Sequence, residues 1–553
     1  MSQNQNESKK TSWSVMLPLA FALVMAIGMF IGFKFYNNFQ TKPTQNLFNT
    51  SYGSTGVVSE VFNFIESRYV DTVNQQYLQE EIIKQTLERL DPHSTFIPSS
   101  EISAVNESME GNFDGIGIQF SVVKDTILVI SPISGGPSER LGILAGDKIV
   151  EIEDSIVAGI GMTSTQVMEM LKGKKNTEVR LGIKRGSSND LLKFTIKREK
   201  IPLYSMDTGY MLDNEIGYIK LNRFSATTVK EFGLKVLDMQ KEGMKKLILD
   251  LRGNPGGYLD AATEISDELI GGKQLMVFTE GVNYKKVEYY SRAPGLFEEG
   301  ELAILLDEGS ASASEVVAGA IQDLHRGVIV GRRSFGKGLV QEQHRLSDGS
   351  ALRLTVARYY TPSGRSVQKP YSEDLDQYYN EVGDRYESGE IYDADSIANS
   401  DSSYTTPSGT IVKSGGGIIP DIYVPLDTTN QSLEYLIARS HIPNFVYNHF
   451  SSKQDYYLSL KELKQFKATF TVGDEMMSAF KAYLSSEKIE WSNQTTPVQT
   501  AQIKTMIKAF LARQIWQNEG YYVMLEEDDR ILNEAIKTLK NENLYAEALK
   551  PKL

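Results

Sequence analysis

There is no cysteine in this 553-residue chain. That excludes disulfides, thiolate nucleophiles and Cys-ligated metal sites. Histidine is nearly as scarce: His93, His325, His344, His441 and His449 are the only five, and no two fall at H-E-x-x-H spacing. No metal site and no cofactor is expected. Basic residues are in deficit, 58 Lys and Arg against 71 Asp and Glu, for a net charge of -13. A nucleic-acid surface is not expected either, because phosphate binding needs clustered cations.

One motif is present without its essential part. In "VIVGRRSFGKGLVQEQ" (Val328–Gln343), Gly331, Gly336 and Lys337 fit G-x-x-x-x-G-K. A phosphate-binding loop needs Ser or Thr after the Lys and a helix behind it. Here Gly338 follows, and "LVQEQHRL" alternates like a strand. A nucleotide-dependent enzyme is disfavoured, and Lys337 needs another role.

Long uncharged runs are absent except at the start, where "SWSVMLPLAFALVMAIGMFIGF" spans Ser12–Phe33 between Lys9, Lys10 and Lys34. It is long enough to cross a bilayer as a helix, and Phe30–Asn38 offers no small-x-small cleavage site. The reading is a short cytoplasmic tail (1–12), an uncleaved transmembrane anchor (13–35) and a linker (36–56), with the lysine pair sending the rest of the chain outward. A helical segment follows (57–104), ended by "LDPHSTFIP". Residues 105–198 show short strands between glycine turns, a β-rich domain. Residues 199–427 alternate strands ("IGYIKL", "KLILDL", "AILLD", "VIVG") with helices at 226–242, 260–270 and 312–324. The fold class is therefore multidomain α/β, with a mixed sheet in its core. Residues 371–414 are acidic, rich in Ser, Asp and Tyr, and without periodicity, so an insertion that is mobile or only locally ordered is expected. Residues 428–553 read as a helical C-terminal domain.

A right-handed strand–helix–strand unit ends both strands at the edge where its helix begins. In "AILLDEGSASASEVVAGAIQDLHRGVIVGRRSFGKG" this returns Lys337 to the edge that holds Ser312, and "KLILDLRGNPGG" empties its loop there if parallel. A hydroxyl, a lysine and a Gly-Gly loop so gathered fit a Ser/Lys hydrolase. Ala313 and Gly256 or Gly257 would supply oxyanion amides. Lysine must be neutral to act as base, which requires burial. No acid lies in "SFGKGLV", and Arg332 and Arg333 are expected to add repulsion. Each piece has a plainer reading. Ser312 with Glu315 is a capping box, "NPGG" is a turn, and Lys337 is a solvated loop lysine. A triad through His344, or through His325 at the far end of the helix, is the competing chemistry.

Together "DLRGNPGG" (Asp250–Gly257), "DEGSASASEVVAGAIQD" (Asp307–Asp323), "VGRRSFGKGLVQ" (Val330–Gln341), "YYTPSGRSVQ" (Tyr359–Gln368), "LDPHSTFIP" and "GIGI" resemble the C-terminal processing peptidases, or tail-specific proteases, in order over about Val57–Pro425. The resemblance implies Ser312 as nucleophile, Lys337 as general base and Gln341 as the group that orients the lysine. It implies a PDZ domain at 105–198 whose Gly115, Ile116, Gly117 and Ile118 capture a peptide carboxylate. The substrates implied are polypeptides with disordered apolar C-termini, and a homodimer or an adaptor protein is a possible partner. The location implied is the bacterial inner membrane, single-pass, with the catalytic domain in the periplasm or otherwise outside the cytoplasm. The rival is a non-catalytic scaffold of the same fold that only binds C-termini.

Overall fold

Apolar residues fill both faces of four short strands, and that demands cover on both sides. The computed structural model describes residues 54–550 other than 187, 189, 293, 373, 394–401, 428–431, 490 and 492–494. Among these no helix is long and apolar enough to cross a membrane. The expected anchor at 13–35 lies outside the described residues, as do the tail and most of the linker. The chain divides into two units, 1–79 and 80–553. What is described of the first is α1 (Ser54–Arg68) and the start of α2 (Gln75–Glu88).

In the second unit β1 (Thr95–Ile97) and α3 (Ile102–Glu110) precede the β-rich domain. That domain is an antiparallel sheet of Ile118–Val123, Thr126–Pro132, Lys148–Ile152, Glu178–Lys184 and Leu191–Lys197, with α4 (Ser164–Leu171) against it. Its core gathers Ile127, Val129, Ile149, Val179, Ile183 and Ile196.

The α/β portion holds β2 (Met206–Met211), β3 (Ile216–Leu221), α5 (Thr228–Lys241), β4 (Lys246–Asp250), α6 (Leu259–Leu269), β5 (Leu275–Gly281), β6 (Tyr284–Tyr290), β7 (Leu302–Leu306), α7 (Ala313–Asp323), β8 (Val328–Gly331), β9 (Leu339–Arg345), β10 (Ala351–Tyr360), α8 (Leu375–Glu387) and β11 (Ile422–Tyr423). Its main sheet runs β2-β3-β4-β7-β8-β11, with β2 antiparallel and the other pairings parallel. A second, antiparallel sheet runs β1-β10-β5-β6, with β9 also on β10. Alternate residues of each strand serve opposite cores. Ile219, Leu249, Ile304 and Ile329 pack under α5, α6 and α7. Tyr218, Ile248, Leu305 and Val330 face the other way.

That other face is covered from the C-terminal region. Helices α9 (Leu433–Ser452) and α10 (Pro497–Leu525) build a core that takes in Val123, Leu128 and Ala145 of the β-rich domain. Beyond them α11 (Arg530–Lys540) lays Ile531, Leu532, Ala535 and Leu539 on the main sheet, followed by α12 (Glu542–Ala548). Each such large side chain contributes about 1.5–3 kcal/mol of burial. Arg252, just past β4, donates to both carboxylate oxygens of Asp529, the N-cap of α11, at 2.8 and 2.7 Å.

The described part of the acidic insertion packs against the α/β portion. Its first half is α8, and Tyr378, Arg385, Glu390 and Ile391 are buried. Two of its acids are held in ion pairs, Glu381 with Arg385, Arg333 and Lys369, and Glu390 with Arg333.

Candidate active site

Helix α7 is buried along its whole length, its polar residues Ser314, Glu315, Gln322 and Asp323 included, so its N-terminus is fixed relative to the sheet edge. Ser312 caps it with φ 55° and ψ -113°, a conformation that costs a non-glycine residue about 1–3 kcal/mol. Its hydroxyl makes no capping bond. The "NPGG" loop presses against it: a Cβ on Gly256 (φ 97°) would sit 2.8 Å from Ser312 Cβ and from the Ala313 nitrogen. On Gly257 (φ 151°) a Cβ would fall 1.9 Å from the Phe224 carbonyl oxygen. Glycine is therefore required at both positions for the loop to reach the serine.

Ser312, Ala313, Gly256, Gly257, Lys337 and Gln341 all line one cavity of about 650 Å³, which brings the serine, the lysine and the Gly-Gly loop to one edge of the sheet. Among the described residues the amides of Ala313 and Gly257 have no hydrogen-bond acceptor, whereas that of Gly256 is taken by Asn254 Oδ1 at 2.9 Å. Of the expected glycine donors, Gly257 is the one available. Lys337 Nζ donates to Gln341 Oε1 at 3.2 Å, and Gln341 Nε2 donates to the His93 carbonyl. Ser312 and Lys337 are not hydrogen-bonded to one another in this state, which is common in free enzymes.

Two buried side chains tie the serine turn to the lysine loop. Glu315 Oε2 accepts from the Ser312 and Lys337 amides, both at 2.8 Å. Its Oε1 accepts from Ser334 Oγ at 2.5 Å and the Gly336 amide at 2.7 Å. The Tyr359 hydroxyl donates to the Lys337 carbonyl at 2.6 Å and lies 3.2 Å from the Ser312 carbonyl. Sequence alone showed Glu315 only as half of a capping box. Its other partners lie 19 to 22 residues away and leave no local signature.

Burial lowers the Lys337 pKa, and Arg353 on β10 adds to it, while Glu315 and Asp91 oppose. The expected source of repulsion is thus corrected. Arg332 is paired with Glu308 and Arg333 with Glu390 and Glu381, so neither is free to repel Lys337. Burial also raises the Glu315 pKa against the pull of its four donors. Desolvation, with help from Lys337, pushes His93 down to about 4, leaving it neutral at neutral pH. His325 bonds Thr410 at the far end of α7, and His344 is exposed beside Glu342. Neither histidine lines the cavity.

A second cavity of about 260 Å³ is lined by Gly115, Ile116, Gly117 and Ile118 together with Phe120, Met168 and Leu171. Among the described residues the Ile116 and Gly117 amides have no acceptor, which leaves two donors of the kind that bind a terminal carboxylate. Helix α3 supplies another wall, and its Glu107 pairs with Lys172 at 2.6 Å. Ser108 of α3 lines both cavities.

Residues 215–375 match Peptidase family S41, residues 115–197 match the PDZ domain family, and residues 432–517 match a family of unknown function, DUF8443. A carboxy-terminal-processing protease of Bartonella bacilliformis is 35% identical over 346 residues, 62% of this chain and 78% of that protein. A probable CtpA-like serine protease of Staphylococcus aureus is 32% identical over 371 residues, 66% of this chain and 73% of that protein. Among solved structures, the photosystem II D1 C-terminal processing protease aligns over 68% of this chain and 94% of its own at 24% identity and a TM-score of 0.35.

Proposed function

We propose, from the premise that this chain belongs to peptidase family S41 and its carboxy-terminal-processing serine proteases, that it cleaves extracytoplasmic polypeptides near their C-termini through Ser312 and Lys337. The observation that carries the reading is the shared clamp. One buried carboxylate, Glu315, holds the backbone of both residues at one cavity, beside the unpartnered amides of Ala313 and Gly257.

Neutral Lys337 accepts the Ser312 hydroxyl proton as Oγ attacks the scissile carbonyl carbon. The carbonyl electron pair becomes an oxyanion held by the Ala313 and Gly257 amides at the positive end of α7. Collapse of that intermediate breaks the C–N bond, and the lysine ammonium gives its proton to the departing amine. Neutral Lys337 then takes a proton from water, whose oxygen attacks the acyl-enzyme. Collapse releases the carboxylate product, and the proton returns to Ser312. Gln341 holds the lysine amine in place throughout. The PDZ cavity receives the substrate's free C-terminal carboxylate on the Ile116 and Gly117 amides, with apolar side chains below it. The partners are disordered polypeptides with apolar tails. The chain is anchored through its N-terminal apolar segment in a bacterial inner membrane, with the peptidase outside the cytoplasm.

The full chain in detergent, beside Ser312→Ala and Lys337→Ala, is incubated with an unfolded protein ending in small apolar residues, and fragments are read by mass spectrometry. Cleavage by the parent and a loss of ~10⁴-fold or more in both variants is expected, as when a nucleophile or base is removed elsewhere. Cleavage by Lys337→Ala at the parental rate sinks the assignment. Absence of cleavage by the parent, with no labelling of Ser312 by a serine-directed covalent probe, leaves the scaffold reading. External protease added to spheroplasts should digest the peptidase portion and spare the N-terminus; protection of the peptidase portion refutes the topology.

A further inference from the structure

Side chains hold much of the backbone of the loop that carries Lys337, and backbone groups of Ser310, Ile418 and Lys369 take the amides of Phe335 and Ser334 and the carbonyl of Gly336. Three successive amides are taken, Gly336 and Lys337 by Glu315 and Gly338 by Gln368 Oε1 at 2.8 Å. Three successive carbonyls are taken too, and by a single residue of the insertion. Arg385 on α8 donates to the carbonyls of Arg333 and Ser334 at 3.0 Å each and of Phe335 at 3.3 Å. Arg385 is itself oriented by Glu381 at 2.9 Å, and Glu381 and Glu390 together grip the Arg333 side chain. Arg385 is only 3% exposed. A guanidinium sunk this deep is not a surface pair of negligible worth, because each of its donors would be costly to strand.

The same helix reaches the lysine by a second route. Tyr378 accepts from Gln368 Nε2 and shares a hydrogen bond with His93 Nε2 at 2.8 Å, and Tyr379 donates to the Pro92 carbonyl at 2.5 Å. The His93 carbonyl in turn receives Gln341 Nε2, and Gln341 holds Lys337 Nζ. Helix α8 therefore contacts the loop before the lysine and the segment that anchors the lysine's orienting glutamine. It does not line the cavity, so its influence on the reaction is exerted through other residues.

We propose that α8, the first half of the insertion, is a strap that positions the general-base lysine, with Arg385 and Tyr378 as its two positioning residues. The proposal deepens the Ser/Lys reading and rests on it. The groups facing Lys337 are Glu315 from α7, Arg353 from β10, and Asp91 and His93 from the segment before β1. Loosening the strap admits water to the lysine and weakens the desolvation that lowers its pKa. A base must be deprotonated to act, so activity rises with pH through the lysine's pKa. A pKa released toward its ordinary value moves that acid limb to higher pH.

The test measures kcat and KM for a peptide substrate across pH with the full chain in detergent, for Arg385→Met, Arg385→Lys and Tyr378→Phe, with thermal midpoints recorded alongside. The expected result is a kcat about tenfold lower for Arg385→Met, with KM within twofold and the acid limb displaced upward. Partial recovery is expected in Arg385→Lys, and a smaller change of the same sign in Tyr378→Phe. Parental kcat and an unmoved limb in Arg385→Met and Tyr378→Phe overturn the strap. So does a loss that only tracks the unfolded fraction while the limb stays put. Lys337→Ala run beside them separates the two levels: activity retained there overturns the Ser/Lys reading itself, and the strap with it.

Discussion

The two cavities share Ser108 yet are built on opposite terms. At the one lined by Ser312 and Lys337, the carbonyls of Arg333, Ser334 and Phe335 and the amides of Gly336, Lys337 and Gly338 end on buried polar side chains, and a single carboxylate serves four donors. At the PDZ cavity the walls are Ile116, Phe120, Met168 and Leu171, the two loop amides have no partner among the described residues, and the ion pair is partly exposed. The difference follows from the work each does. In the proposed mechanism, proton transfer between Ser312 and Lys337 demands geometry held to fractions of an ångström, which a fully satisfied buried network supplies in an all-or-none way. Peptide capture needs only shape, apolar area and donors waiting for a ligand, and its energy is graded with area buried. Damage to the first should therefore appear in kcat and damage to the second in KM.

Glu315→Gln attacks the first arrangement most directly. The amide keeps the shape but presents an NH₂ where two donors now point, so two charge-assisted bonds are lost. At about 2 kcal/mol or more this corresponds to a ~30-fold or larger fall in kcat, with KM nearly unchanged. Active-site titration separates misfolded from slow enzyme. A titrated variant within threefold of parental kcat would show that the carboxylate clamp does not set the geometry.

Lys172→Ala tests the second. Its ammonium sits at the rim of the PDZ cavity, 2.6 Å from Glu107 and over the Phe113 ring. Long-range attraction for a terminal carboxylate at a partly exposed site is modest, about 1 kcal/mol or roughly fivefold in KM. The parental enzyme and the variant should become indistinguishable on a substrate whose C-terminus is amidated. A change in kcat with KM intact would contradict the division of labour between the cavities.

Much of this was legible in the chain because it rests on local pattern. The strands "IGYIKL" and "VIVG" are apolar without alternation because both their faces are covered. Ser312 and Lys337 could be brought together because crossover handedness, not contact, puts them at one edge. What escaped reading is what depends on distant partners. Ile531, Leu532, Ala535 and Leu539 recur at helical spacing in the sequence, but spacing does not say that the main sheet receives them. Repulsion on Lys337 was assigned to Arg332 and Arg333 by proximity in sequence, whereas those side chains turn to acids and Arg353 arrives from another strand. Helix α8 hid behind an acidic composition, although Glu381 and Arg385 stand at helical i,i+4 spacing and could have flagged it.

The smallest expected effect separates a lysine base from a histidine base. His344 is close to Lys337 in sequence and was the plausible triad member, but it projects from β9 beside Glu342, exposed and away from the cavity. His344→Ala should leave kcat/KM within about twofold and the pH profile unmoved, since an exposed side chain outside the site has little to contribute. His93 does lie near the lysine, but with its pKa at about 4 it stays neutral through the working range and contributes no inflection there. Rate loss in His344→Ala would restore the triad. Silence in that variant, beside a dead Lys337→Ala, leaves the lysine as the group whose deprotonation sets the acid limb.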